Sequence, residues 1–323
     1  MSAVNAEDVL CSAAGRWRRI DPLLPDPRPS ADPGCGAELT VPAANGRAAA
    51  VGWCRHRQVE PEALELEWGA AGQFWLTARV AGDPAEPGIG AALDELLVRW
   101  HAHLAAEPAA AGHDTQAAVR WPSRDIGGVR ALLRHGLLPL TVIAARPAGR
   151  AMPEAGPRPG GLRIRPAAPG DVAAVTALSL EVIGFDQHFG SVLLHPHAER
   201  VVRQAAEQTL ARPEPWTWLA ERDGQAVGLL AAEPPDRAGW IADATRQGPV
   251  AYLATMSVLP GERGAGVGTA LVAELHRELD AAGVEVTLLH HDQLNPLSVP
   301  FWSRMGYRPL WTSWEIRPAR ALR

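Results

Sequence analysis

The sequence predicts an α/β (α+β) protein made of two consecutive copies of one strand–turn–helix plan, and three observations predict it. Residues 250–269 run from an apolar strand directly into Arg263-x-x-Gly266-x-Gly268 and then a helix. The first half of the chain repeats this plan at one constant offset of 178 residues: Phe74 to Val80 aligns with Tyr252 to Val258, and Gly88-Ile-Gly90 with Gly266-Val-Gly268. Between the copies, residues 146–161 are too rich in Pro and Gly for helix or strand. The expected organisation is therefore 1–145, a linker at 146–161, and 162–323.

The elements of the second copy read in order. Residues 162–166 alternate as a first strand, and Pro169-Gly170-Asp171 starts a helix carrying Val172, Val175, Leu178 and Leu180. A second helical stretch covers about 196–211. Residues 216–221 and 225–232 flank Asp223-Gly224, a pair that supplies the positive φ angles of a two-residue hairpin turn. The Gly-rich strand and helix follow. A strand over 284–291 then leads to Asn295, a short amphipathic helix and a Gly306-Tyr307 stop. In the first copy, Asn45-Gly46 falls opposite Asp223-Gly224, and the segment ending in Gly136 falls opposite the one ending in Gly306.

The Gly-rich turn is suited to an anion. Glycines at 264, 266 and 268 let backbone approach a ligand, and the helix behind them directs unpaired N–H groups and a positive dipole end at it. A P-loop is excluded because Gly268-Thr269-Ala270 replaces Gly-Lys-Ser/Thr, in a chain that contains no lysine. A dinucleotide fingerprint is disfavoured because the loop reads G-x-G-x-G and follows strands joined by short turns.

With the Arg263 loop and the Asn295 segment in register, residues 162–318 resemble a complete domain of the GNAT superfamily of acyl-CoA-dependent N-acetyltransferases. The resemblance implies a mixed, mostly antiparallel sheet flanked by helices in each copy, with acetyl-CoA or a related acyl-CoA as co-substrate. It implies that Arg263, Gly264, Ala265, Gly266, Val267, Gly268 and Thr269 hold the pyrophosphate. It further implies that Met256, Ser257 and Val258 bond the pantetheine arm and acyl carbonyl through their backbone, with Asn295 on the other side. Trp302 occupies the position where the family often has a tyrosine acid, and its indole N–H is not an acid at neutral pH; Tyr307 is a packing position. The activity implied is direct acyl transfer to the amine of a small molecule, with an acyl-CoA binder without turnover and an O-acyltransferase as alternatives.

Two base positions hold titratable groups, Tyr252 and His290. With reference pKa values of about 6.5 and 10, an unperturbed His290 is about 90% neutral near pH 7.5, whereas well under about 1% of Tyr252 is ionised. His290 is the preferred base, against the alternative that it merely ends a strand. An acceptor pocket is expected near Glu181, Asp186, His188, His195 and His197. The first copy reads as degenerate: Ala85 stands for Arg263, Asp125 for Asn295, and Asp83-Pro84 and Glu86-Pro87 bring negative charge and remove N–H donors.

Composition narrows the class. With 323 residues, 47% apolar content and a net charge of −5, the chain suits two cored domains and gives no footprint for nucleic acid. No run approaches a membrane span, and the start lacks signal-peptide character, so a cytoplasmic protein is expected, without a membrane partner. Cys11, Cys35 and Cys54 have no metal or disulfide spacing, and no metal is expected. The missing lysine and abundant Ala, Gly, Pro and Arg suggest a GC-rich, actinobacterial genome. Oligomeric state is not legible.

Overall fold

The computed structural model describes residues 4–28, 36–44, 48–82, 88–150 and 160–323. The first half comprises α1 (Ala6–Ile20), β1 (Glu38–Val41), β2 (Ala50–Gln58), β3 (Gly72–Val80), α2 (Gly88–Ala106), β4 (Thr115–Pro122), α3 (Val129–Arg134) and β5 (Leu138–Pro147). The second comprises β6 (Leu162–Pro166), α4 (Val172–Asp186), α5 (Ala198–Leu210), β7 (Thr217–Arg222), β8 (Gln225–Glu233), the short α6 (Gly239–Ala242), β9 (Val250–Val258), α7 (Val267–Ala281), β10 (Val286–Asp292), α8 (Ser298–Arg304) and β11 (Arg308–Ile316). The repeat is visible in these bounds, since β3 and β9 differ by the same 178 residues at both ends.

Local chemistry accounts for the elements. Asn5 accepts the Glu7 N–H at 3.1 Å to start α1, whose acidic first turn and basic last turn suit the helix dipole. The hairpin between β7 and β8 turns at Asp223 (φ 50°) and Gly224 (φ 78°), as the dipeptide predicts. Along α7, Val267, Leu271, Val272, Leu275 and Leu279 form one buried stripe.

Among the described residues the strands form a single sheet of eleven, in the order β1-β2-β3-β4-β11-β5-β10-β9-β8-β7-β6. Only β3–β4 and β9–β10 pair in parallel. The expected mixed, mostly antiparallel sheet flanked by helices is present, but not as one sheet per half. Each half gives its last strand to the other: β5 pairs with β10, β11 pairs with β4, and the exchanged strands pair with each other. The sheet is continuous through the junction, so the exchange leaves no edge there. The linker also starts later than predicted, because residues 146 and 147 belong to β5, and residues 151–159 lie outside the described residues.

The cores follow the exchange. Under α2, the first-half core takes in Trp314 and Leu322 from the C-terminal end, and under α7 the second-half core takes in Val142 and Ala144 from β5. On the opposite face, Trp17, Leu23 and Leu24 pack with Ile143, Leu288, Leu310 and Trp311, and Arg308 forks onto Asp21. Among the described residues, no helix is long and apolar enough to cross a membrane.

Candidate active site

A gap in the sheet creates the site. The parallel pairing of β9 with β10 ends at Leu253 and Leu289, although β9 runs on to Val258 and β10 to Asp292. On its other side β9 remains paired with β8 but carries one extra residue, because Ala231 pairs with Thr255 and Ala232 with Leu253. Such a bulge bends a strand and strengthens its twist, which here carries β9 away from β10. Backbone groups on the β10 side of residues 254–258 are thereby left without a ladder partner.

The gap opens into a cavity of about 330 Å³. Met256, Ser257 and Val258 form one wall, Asn295, Leu297, Ser298, Phe301 and Trp302 another, and Glu181, Val182 and Phe185 of α4 a third. The predicted anion loop, with Arg263, Gly264, Gly266, Val267, Gly268 and Thr269, completes the lining together with Glu262 and Arg304. The sequence reading thus placed all but one of its cofactor residues on this cavity; Ala265 lies within the loop without lining it. Gly264 and Gly266 have φ of 78° and 84°, a left-handed region costly for other residues. Gly268 serves a different purpose, since a Cβ there would lie 3.3 Å from the Phe301 ring. Gly266 caps α7 with no side-chain acceptor, so the first N–H groups of that 15-residue helix point outward unpaired.

Arg263 is held by three neighbours. It donates to Glu181 Oε1 at 2.6 Å and to the Val258 carbonyl at 3.0 Å, and its guanidinium lies 4.7 Å from the Phe185 ring centroid. Ser257 donates to the other Glu181 oxygen at 2.8 Å. Glu181, expected as an amine ligand, is therefore the counter-ion of the loop arginine. Asn295 is equally committed: its side-chain oxygen accepts the N–H groups of Leu297 and Ser298 at 2.9 and 3.1 Å, and its amide donates to Asp186 at 2.8 Å. It shapes the wall by fixing the start of α8. Trp302 is buried edge-on against Phe301 and Tyr307. Tyr307 is buried and hydrogen-bonded to His276 at 3.1 Å, which makes it a packing residue as expected.

The two proposed base residues come together away from the cavity lining. Tyr252 Oη and His290 Nδ1 share a 3.0 Å hydrogen bond across β9 and β10. Trp240 of α6 covers the pair, its ring 4.8 Å from Tyr252 and stacked 6.4 Å from His290, and its indole donates to Glu233 at 2.7 Å. Leu288 and Tyr252 pack into the core opposite α7, and His290 shares their face by strand alternation. Burial, aided by the positive charges of Arg120 and His291, pushes His290 down to about 3. Its unperturbed basicity, assumed from sequence, is therefore not retained. Two residues along β10, burial raises Asp292 to about 7, and burial likewise raises Asp186 to about 6. Asp186 was expected near the acceptor pocket, but neither pKa shift was legible in sequence, because desolvation depends on what the fold packs above each group.

The other histidines expected near the acceptor do not line the cavity, and His197 is exposed at the start of α5. His188 contacts the Phe185 carbonyl, and His195 faces Glu67 and Asp114 of the first half.

In the first half the equivalent gap is plugged. Arg16 of α1, fully buried, bonds the Val80 carbonyl, the counterpart of Val258, and its Nε lies 3.1 Å from Asp125. Its guanidinium sits 5.8 Å from the centroid of buried Trp121. The substituted loop at 83–87, with Ala85, lies outside the described residues, as does Asn45-Gly46. The plug itself was not legible in sequence, because a helix residue 64 positions before Val80 supplies it.

Part of the chain is similar in sequence to known acetyltransferases. Residues 185–307 match the family model for the acetyltransferase (GNAT) family. A mycothiol acetyltransferase of Frankia alni is 35% identical over 103 residues, covering 30% of this chain and 31% of that protein. One of Streptomyces avermitilis is 27% identical over 155 residues, covering 46% and 44%. The matches thus span about a third to under half the length of these relatives. A crystal structure of a GCN5-related N-acetyltransferase from Sphaerobacter thermophilus superposes with a TM-score of 0.55 at 17% identity, covering 97% of this chain and 92% of that one, which shows a shared fold.

Proposed function

We propose that this chain, whose residues 185–307 match the acetyltransferase (GNAT) family model, transfers an acetyl or other short acyl group from coenzyme A to the amine of a small molecule by direct attack. The observation that carries the proposal is the gap between β9 and β10 opening onto the uncapped start of α7. A diphosphate suits that helix start, where oriented N–H groups, a positive dipole end and Arg263 converge. The unpaired backbone of 254–258 offers donors and acceptors to an amide-bearing arm, and one N–H there would stabilise the oxyanion formed on attack.

Proton handling follows from the shifted groups. An ammonium with a pKa near 10 would transfer its proton to His290, held down to about 3, only at a cost on the order of 10 kcal/mol, given about 1.4 kcal/mol per pKa unit. His290 is therefore assigned as a neutral hydrogen-bonding partner, held by Tyr252, for an amine that arrives already deprotonated. Trp302 supplies no acid. A thiolate with a pKa of about 8.5 is a tolerable leaving group at neutral pH and takes its proton from water.

Trp302 in the acid position also motivates a second reading, an acyl-CoA binder without turnover. Thiol release from acetyl-CoA separates the two when measured over a panel of amines that includes the acceptor of the mycothiol acetyltransferases. Release with at least one amine, lost in Arg263→Ala, supports transfer; calorimetric binding with no release supports the binder. No binding at all would sink both.

A further inference from the structure

Arg120 has no part in the reading above. Its side chain reaches solvent, and among the described residues its one close partner is the Trp75 ring, 5.8 Å from the guanidinium carbon. Glu315, the nearby acid, is itself buried and bonded to Arg317 at 3.4 Å. Burial lowers the Arg120 pKa, and the negative charge of Glu315 partly opposes that shift.

The strand exchange puts this cation on the same sheet face as the His290–Tyr252 pair of the second half. Arg120 of β4 pairs with Ser313 of β11, Ser313 with Thr141 of β5, and Thr141 with Asp292 of β10. Directly paired residues share a face, so the four form one row, and His290 lies two residues from Asp292 on the same face. Three strand spacings put the backbones at the ends of the row about 14 Å apart. The charge of Arg120 is felt at His290, where it opposes protonation.

We propose that the acceptor carries an anionic group, a carboxylate or a phosphate, besides its amine, and that Arg120 binds this group. The first half, with its own cofactor gap plugged, thereby supplies specificity to the second. The proposal rests on the acyl-transfer reading and adds the acceptor's charge to it.

Matched pairs test it: 6-aminohexanoate against 6-aminohexanamide, and glucosamine 6-phosphate against glucosamine, each with acetyl-CoA and thiol detection. In at least one pair the anionic member is favoured in kcat/KM by about tenfold or more, the factor expected of a charge-assisted contact. The pair that shows it identifies the anion. Arg120→Gln abolishes the preference through KM, Arg120→Lys restores part of it, and neither changes the affinity for acetyl-CoA. Equal use of neutral and anionic members, or an Arg120→Gln loss shared by both, overturns the proposal while leaving acyl transfer standing. If CoA binds but no amine is acylated, acyl transfer falls. Calorimetric titration of both anionic amines into the CoA-saturated protein then decides the anion site, which requires binding that weakens about tenfold in Arg120→Gln.

Discussion

Replacing Glu181 with Gln should tighten acetyl-CoA binding, although Glu181 lines the proposed cofactor cavity. In the free protein Arg263 is tied to Glu181 at 2.6 Å, with the two side chains 29% and 22% exposed. A guanidinium that turns towards a diphosphate gives up this pair. At such partial exposure the pair is worth about 1 kcal/mol, so Glu181→Gln should lower the acetyl-CoA Kd about three- to fivefold. Gln retains an oxygen to accept the Ser257 hydroxyl, which limits the change to charge. Arg263→Ala should raise the Kd about 10- to 150-fold, the loss of a charged hydrogen bond worth about 1.5–3 kcal/mol. In the Arg263→Ala background, Glu181→Gln should shift the Kd by less than about twofold, since the competitor has nothing left to hold. Calorimetry on the four proteins at low and moderate salt closes the cycle, and salt should shrink the Arg263 effect. A Glu181→Gln variant that binds acetyl-CoA more weakly than wild type would refute the competition and make Glu181 a supporting residue.

The pH profile of kcat/KM should rise with the pKa of the acceptor amine and show no inflection near 6.5, because His290 stays neutral down to about 3; an amine-independent inflection at 6–7 would contradict this. Asp292→Asn should stabilise the protein at pH 8 relative to pH 4. The folded pKa of Asp292 is raised to about 7, so its favourable protonated state is present below about 4 and lost as pH rises through 7. The gain should be of the order of 2–4 kcal/mol, read from chemical denaturation of both proteins at the two pH values; a pH-independent difference would count against a buried charge. Expressed as separate chains, 1–150 and 160–323 should each fail to give a cooperative thermal transition and should recover one when co-expressed, because each lacks the partner of an exchanged strand. Two independently melting halves would show the exchange to be dispensable.

Much of the site was legible in sequence because its signals are local. Positive φ at Gly264 and Gly266, the outward N–H groups of α7 and the Asp223-Gly224 turn depend on residues a few positions apart, where steric limits on the backbone leave little choice. The internal repeat likewise reported two copies of one plan, and its offset survives in the bounds of β3 and β9.

The tertiary structure decided the rest, for a shared physical reason: each remaining feature depends on which distant group fills a space. The final strands β5 and β11 have equal local claims on either half, and only the assembled sheet shows that they cross. Arg16 could not be matched to the Val80 carbonyl by spacing, nor Glu181 to Arg263. The basicity of His290 is a property of its cover, because burial in low dielectric disfavours the charged imidazole whatever its neighbours in the chain. Motif and spacing pointed to one loop suited to an anion, at residues 263–269. Packing determined that the gap in the first half is closed, and that the row from Asp292 to Arg120 joins both halves on one face.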